Sequence, residues 1–180
     1  KQLAEQTGAL LIGNVLADND GFQDDSFLPA MSLQHNQVFD IGGLKLRALH
    51  TPGHVNNHLC FLLEDEGFLF TGDHIMNGST VVISPPDGNM KHYIQSLEKL
   101  KNYDLKTIAP GHGETMKDPQ LVAEWIVKHR LEREKKVSDA LREAGEGTPD
   151  SLVNKVYDDV DSSLFPIAKW SLKAHLLKLA

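Results

Sequence analysis

Three short segments, each combining glycine with histidine or aspartate where an apolar run ends, most constrain how this chain can fold. They are 50–54 (HTPGH), 71–73 (TGD) and 110–113 (PGHG). Strand ends hold side chains rigidly, and glycine lets the backbone and a ligand approach each other closely. We therefore expect His54, Asp73 and His112 to be held in fixed positions.

The surrounding pattern predicts strands and helices in a layered order. A hairpin is expected over 38–49, because Gly42-Gly43 supports a tight turn and Leu44, Leu46 and Ala48 alternate with charged residues as one buried face. Further strands are predicted over 9–12, 59–63, 68–71, 80–83 and 105–109, a loop over 17–35, and helices over 1–7, 90–100, 119–144, 149–156 and 166–179. Asp118 and Thr148 are the expected N-caps, each followed by proline. This order indicates an α/β layer structure with a small helical appendage.

Composition narrows the class of protein and divides the chain in two. The formal net charge is −7, which argues against a large phosphate-binding surface. Residues 1–125 carry 8 basic and 16 acidic side chains, whereas 126–180 carry 10 and 9, so we place a domain boundary between 125 and 126. The single cysteine, Cys60, excludes an internal disulfide. No apolar run is long enough to span a bilayer and no signal peptide is visible, so we expect no membrane partner and a cytoplasmic protein.

Histidine and carboxylate in this arrangement suit a metal site. Imidazole and carboxylate are ligands for zinc, iron or manganese, and one carboxylate can bridge two ions through its two oxygens. Taken singly, a loop histidine is usually solvated and a Gly-Asp pair after a strand is usually a turn. Three such elements at successive strand ends favour the metal interpretation.

These segments resemble the second, third and fourth metal motifs of the metallo-β-lactamase fold hydrolases. The resemblance covers residues 1 to about 125 and implies the C-terminal portion of an αββα sandwich. It implies that His54 ligates one ion, that Asp73 bridges both and takes part in catalysis, and that His112 ligates the other. Two divalent ions, expected to be zinc with iron or manganese possible, would activate water to attack an ester, thioester, lactone or phosphodiester.

The first motif of that family, HxHxDH, is absent from the sequence. The resemblance places it just before Lys1, so we expect this chain to be part of a longer protein. The three ligands present are divided between two ions, whereas a catalytic zinc normally has three protein ligands of its own. Alone, the chain is expected to bind metal weakly and to be nearly inactive.

Three further histidines have two interpretations each. His74 follows Asp73 and is predicted as a catalytic residue that faces the substrate; the alternative is a buried or solvated spacer. His58 is predicted to hydrogen-bond a ligand or contact substrate, since proline and glycine before it argue against a two-histidine helical face. His129, on the apolar face of the 119–144 helix, is predicted to be a hydrogen-bonded core residue.

The tail, 129–180, resembles the small winged-helix domain of a branch that includes lactamase-like endoribonucleases. Its last helix carries Lys169, Lys173 and Lys178, which could contact RNA or form a solvated basic face over an apolar one. A small-molecule hydrolase is the main prediction. RNA processing is one alternative. The other is a non-catalytic fragment or subunit that associates, as a homo-oligomer for example, through exposed strands.

Overall fold

The computed structural model describes residues 2–15, 24 and 26–180. Within these, the helices are α1 (Gln2–Thr7), α2 (Met90–Leu100), α3 (Pro119–Ala144), α4 (Pro149–Val156) and α5 (Phe165–Leu179), with a 3-10 turn at Ser162–Leu164. The strands are β1 (Ile12–Gly13), β2 (Met31–Ser32), β3 (Val38–Ile41), β4 (Leu44–His50), β5 (Leu59–Leu63), β6 (Phe68–Gly72), β7 (Thr107–Pro110) and β8 (Met116–Lys117). The predicted loop over 17–35 lies partly outside the described residues; where it is described, it contains β2.

The main sheet follows the chain in simple order, β3-β4-β5-β6-β7-β8. Its pairs are antiparallel except β6–β7, which are parallel and are connected through α2. The predicted hairpin is confirmed: Ile41 pairs with Leu44 across the Gly42-Gly43 turn. Because β6 and β7 are parallel neighbours, their carboxyl ends, which carry Asp73 and His112, reach the same edge of the sheet.

One face of this sheet packs against α2 and α3 and forms the larger core. Alternate residues of the strands, such as Cys60, Leu62 and Leu69, face the helices and are buried. Helix α2 contributes Tyr93 and Leu97, both fully buried. Burial raises the pKa of the Cys60 thiol to about 12, so this cysteine is an unreactive core residue.

The opposite face, here called the open sheet face, consists of Leu46, Phe61, Leu63, Phe68 and Phe70. Phe61 pairs with Phe70, Leu63 with Phe68 and Leu46 with Leu63, so these side chains share one side of the sheet. Phe70 is 46% exposed. On the same face Ala48, which pairs with Phe61, is fully buried, whereas Leu44 is exposed. The predicted buried face of the hairpin is therefore realised only in part.

The C-terminal part of the chain has a second core between the end of α3, α4 and α5. Its buried residues are Val137, Ala140, Leu152, Val153, Val156, Tyr157 and Leu172. Thr148 caps α4 as predicted, in a reciprocal capping box with Ser151. Arg133 of α3 donates to the carbonyl of Val156 and to both carboxylate oxygens of Asp159, and this holds the pKa of Asp159 at about 2. Helix α3 crosses the proposed 125/126 boundary and contributes residues to both cores.

One local prediction is wrong and another holds only in part. Residues 80–83 do not form a strand; side chains from elsewhere in the chain bind the backbone groups of this segment instead. Asp118 stands at the N-cap position of α3 before Pro119, as predicted, but its side chain makes no capping hydrogen bond and its backbone is left-handed at φ 55°. Among the described residues, no helix combines the length and apolar character needed to cross a bilayer.

Candidate functional site

The structure brings His54, Asp73 and His112 together. The Nε2 atom of His54 lies 3.9 Å from Oδ2 of Asp73, and Nε2 of His112 lies 3.4 Å from Oδ1. Each imidazole therefore faces a different oxygen of the same carboxylate. Asp73 and His112 are accessible to solvent, and His54 is partly covered.

His54 is held by the loop between β4 and β5, which is bound to the start of α2. The amide of Asn89 donates to the carbonyl of Gly53 at 2.8 Å, and the Ser96 hydroxyl donates to the carbonyl of Pro52 at 2.8 Å. Gly53 has φ 136°, and a Cβ there would lie 2.3 Å from the Tyr93 backbone. The glycine in HTPGH thus permits the close contact between loop and helix that positions His54.

Asp73 and His112 are brought together where β6 and β7 end. The Gly111 amide donates to the carbonyl of Gly72 at 2.8 Å, which joins the two strand ends. A Cβ on Gly111 would lie 2.9 Å from Oδ1 of Asp73, so a larger residue would displace the carboxylate. The glycine in PGHG therefore leaves space for the aspartate in TGD.

These distances fit side chains that share metal ions in pairs. Two ligand atoms about 2.1 Å from a metal at a tetrahedral angle are separated by about 3.4 Å. The distance of 3.4 Å between His112 and Asp73 equals this value, and the distance of 3.9 Å between His54 and Asp73 is somewhat longer. Among the described residues, no three His, Cys, Asp or Glu side chains are grouped so that they could hold one ion. The described part of the chain therefore offers two ligand pairs that share Asp73.

His58 lies behind this site. Its Nδ1 is 2.9 Å from the hydroxyl of Thr51, and its ring centroid is 6.5 Å from that of His54. Burial and, to a smaller extent, the nearby His54 lower the pKa of His58 to about 4. A neutral imidazole that contacts a buried threonine is suited to support the neighbouring His54 and not to bind a ligand itself. The sequence contains no pattern that indicates Thr51 as the partner of His58.

His74 points into the core. Its ring is fully buried, 5.0 Å from the Tyr93 ring and 5.6 Å from the His58 ring, and among the described residues neither ring nitrogen has a hydrogen-bond partner. Burial lowers the pKa of His74 well below its ordinary value. The expectation that His74 faces the substrate is corrected: the turn after β6 directs Asp73 outward and His74 inward, as the buried-spacer alternative had it.

His129 also differs from its prediction. It is half-buried and stacks on the exposed Trp125 with the ring centroids 5.4 Å apart. Its Nδ1 atom has no hydrogen-bond partner among the described residues, so the expected satisfied core histidine is not observed.

The lysines of α5 are engaged within the tail. Lys169 pairs with Asp150 and Lys178 with Glu134, while the Lys173 ammonium lies 5.8 Å from the centre of the Trp170 ring. RNA contact and the solvated-face interpretation of this helix both stay predictions.

Sequence comparison identifies the family. The profile of the metallo-beta-lactamase superfamily matches residues 5–112, and that of the beta-lactamase associated winged helix domain matches residues 148–180. The chain belongs to the metallo-beta-lactamase superfamily. Its C-terminal tail is the winged-helix domain associated with that superfamily, as the resemblance implied.

Individual relatives agree with this assignment. The chain is 32% identical to the beta-lactamase-like protein 2 homolog of Drosophila melanogaster, over 82% of this chain and 49% of that protein. It is 36% identical to the atrochrysone carboxyl ACP thioesterase of Aspergillus chevalieri, over 80% of this chain and 48% of that protein. The chain spans about half the length of these relatives.

Solved structures confirm the fold class. A metallo-beta-lactamase family protein from Thermus thermophilus matches with a TM-score of 0.70 and 24% identity, covering 83% of this chain and 48% of that one. A beta-lactamase domain protein from Burkholderia ambifaria also gives 0.70, at 22% identity, covering 82% and 46%. The α/β metallo-β-lactamase fold with its winged-helix tail is thus established.

Proposed function

We propose that this chain supplies half of the metal site of a hydrolase, with His54 and His112 as ligands of two divalent ions and Asp73 between them. The observation that carries the proposal is the placement of the two imidazoles opposite different oxygens of one carboxylate. Divalent ions bound there would lower the pKa of water and polarise the bond to be cleaved. Zinc fits this donor set, and the remaining ligands would come from residues other than these three.

We infer that the substrate is an ester-type small molecule, with a thioester first among the ester, thioester, lactone and phosphodiester classes. A relative that matches 80% of this chain is named a thioesterase, which supports this order. The solvent-accessible carboxylate of Asp73 gives a substrate direct access to the site. RNA is a weaker second candidate, because the α5 lysines are engaged in contacts within the tail.

Zinc affinity tests the site. The purified chain is titrated with zinc against a chromophoric competitor, next to His112→Ala and a control variant, His92→Ala, which removes an exposed histidine of α2. We expect weak binding by the chain, a loss of at least tenfold in His112→Ala and no change in His92→Ala. Equal affinities in all three proteins would overturn the metal assignment.

Substrate class is tested separately on the zinc-loaded chain. Acetyl-coenzyme A is compared with bis(p-nitrophenyl) phosphate, and the rates are expressed per bound zinc. Faster release of coenzyme A than of p-nitrophenol, abolished in Asp73→Asn, is the expected result. Faster turnover of the phosphodiester than of the thioester would contradict the thioester assignment.

A further inference from the structure

The segment 80–84 lies beside the site without belonging to a strand. Its backbone is held by three side chains that come from three other parts of the chain. Arg130 of α3 donates to the carbonyl of Val81, and the amide of Ile83 donates to Oγ of Ser171 on α5 at 3.1 Å. The third contact, between Val82 and His54, is made at 2.9 Å.

The contact with Val82 determines which nitrogen of His54 carries the proton. A carbonyl oxygen only accepts hydrogen bonds, so Nδ1 of His54 must be the donor. In the neutral ring, Nε2 then keeps its lone pair, and this is the atom that faces Asp73. The position of the Val82 carbonyl therefore determines both the tautomer and the direction of the His54 ring.

The two side chains that bind the residues on either side of Val82 are themselves buried. Arg130 is 3% exposed and its guanidinium lies 5.3 Å from the centre of the Tyr93 ring. Ser171 is 5% exposed and lies within the region that matches the winged-helix profile. A continuous set of contacts thus runs from α5 through the 80–84 segment to His54.

We propose that Ser171 and Arg130 are positioning residues for His54, so that the winged-helix tail helps to keep Nε2 of His54 unprotonated and directed at Asp73. The proposal rests on the proposed function in that it takes His54 to be a metal ligand. Groups that hold a ligating histidine through its second nitrogen are known to tune metal affinity in proteins. Here that group is a backbone carbonyl, whose own position depends on residues far along the chain.

The test is the tautomer of His54, read from the side-chain ¹⁵N shifts of the zinc-free chain at pH 8 and assigned with His54→Gln. We expect the Nδ1–H form in the unmodified chain. In Ser171→Ala and Arg130→Met we expect shifts towards a mixture of tautomers, together with a loss of about tenfold in zinc affinity. Ser171→Thr, which keeps the hydroxyl, should restore the unmodified shifts.

Arg133→Met is the matched control. Arg133 is also a buried arginine of α3 that donates to a backbone carbonyl and lies over a tyrosine ring, but its partners, Val156 and Tyr157, belong to the second core. It should destabilise the chain and leave the His54 shifts unchanged. Should Arg130→Met fail to fold, Ser171→Ala removes one hydroxyl only and carries the test.

Unchanged His54 shifts in Ser171→Ala would overturn the positioning role. The proposed function would be contradicted by a different result, namely equal zinc affinities of the unmodified chain and His112→Ala. Altered shifts together with that equality would support the positioning of His54 and reject the metal assignment of the site.

Discussion

His175 is a fully buried titratable group in the tail of this protein. Its Nδ1 lies 3.2 Å from a carboxylate oxygen of Glu134, which also pairs with Lys178, and Arg130 lies nearby on α3. Burial outweighs the carboxylate and lowers the pKa of His175 to about 4. The folded protein therefore keeps this imidazole neutral in a range where the unfolded chain protonates it.

We expect His175 to make the free energy of unfolding depend on pH. Between about pH 6.5 and pH 4 the unfolded chain binds a proton at His175 that the folded chain does not bind. The free energy of unfolding therefore falls as the pH falls, by up to about 3 kcal/mol from this group. His175→Gln keeps a hydrogen-bond donor for Glu134 and should remove this part of the slope. Urea unfolding at several pH values measures it.

The control for that series is His92→Gln, which changes an exposed histidine and should leave the slope unaltered. If the free energy of unfolding of His175→Gln varied with pH in parallel with that of the unmodified chain, His175 would not resist protonation in the folded state.

Single residues also show how far the sequence can identify a site. That His54, Asp73 and His112 are held at strand ends could be predicted, because glycine next to histidine or aspartate there leaves a local pattern; their role as metal ligands stays a prediction. The contributions of Thr51, Val82 and Ser171 could not be predicted. Ser171 and its partner Ile83 are 88 positions apart, and the contribution of Val82 is a backbone carbonyl, which any residue would provide.

Among the elements, α4 depends on its N-terminal residue. It has eight residues, too few for a stable isolated helix, and its first turn is held by the Thr148–Ser151 capping box. Leu152, Val153 and Val156 reach the second core only when this turn is formed. The cap therefore contributes to the packing of the whole tail.

Thr148→Ala should lower the free energy of unfolding by about 1 kcal/mol, because the Ser151 amide loses the Thr148 hydroxyl as an acceptor. Thr148→Ser keeps an oxygen at the same position and should lose much less. Urea unfolding followed by far-ultraviolet circular dichroism compares the two. Equal losses would mean that the threonine methyl group, and not the cap, stabilises α4.

Elements with a local cause were predicted well, and those with a distant cause were not. The β3–β4 hairpin follows from its glycine turn, and α4 follows from its cap. The β-branched run at 80–83 indicated a strand, yet Arg130 and Ser171 bind its backbone in place of a neighbouring strand. Local propensity is a weak guide where side chains far along the sequence satisfy the backbone.

At the scale of the whole molecule, the open sheet face is the main exposed apolar feature of the sheet. Its two phenylalanine pairings lie on the side of the sheet away from α2 and α3. Contiguous apolar surface of this kind favours association in water. We therefore expect this chain, studied alone, to form oligomers through that face.

Sedimentation velocity over a range of concentrations tests this expectation. The sedimentation coefficient of the unmodified chain should rise with concentration, and Phe70→Lys should reduce the rise by placing a charge on the face. Leu131→Lys is a matched control, since Leu131 of α3 is also 46% exposed and lies away from the sheet face. A monomer at every concentration would contradict association.

Helix α3 has a further consequence for the mechanics of the molecule. It is one uninterrupted rod of 26 residues, about 39 Å long, with Ile126 and Val127 in the larger core and Val137 and Ala140 in the smaller one. Because one helix supplies residues to both cores, we expect unfolding of either end of α3 to destabilise the other. The tail is thus connected to the sheet through a continuous helix that packs in both cores, and a displacement of the tail would reach Arg130 through that helix.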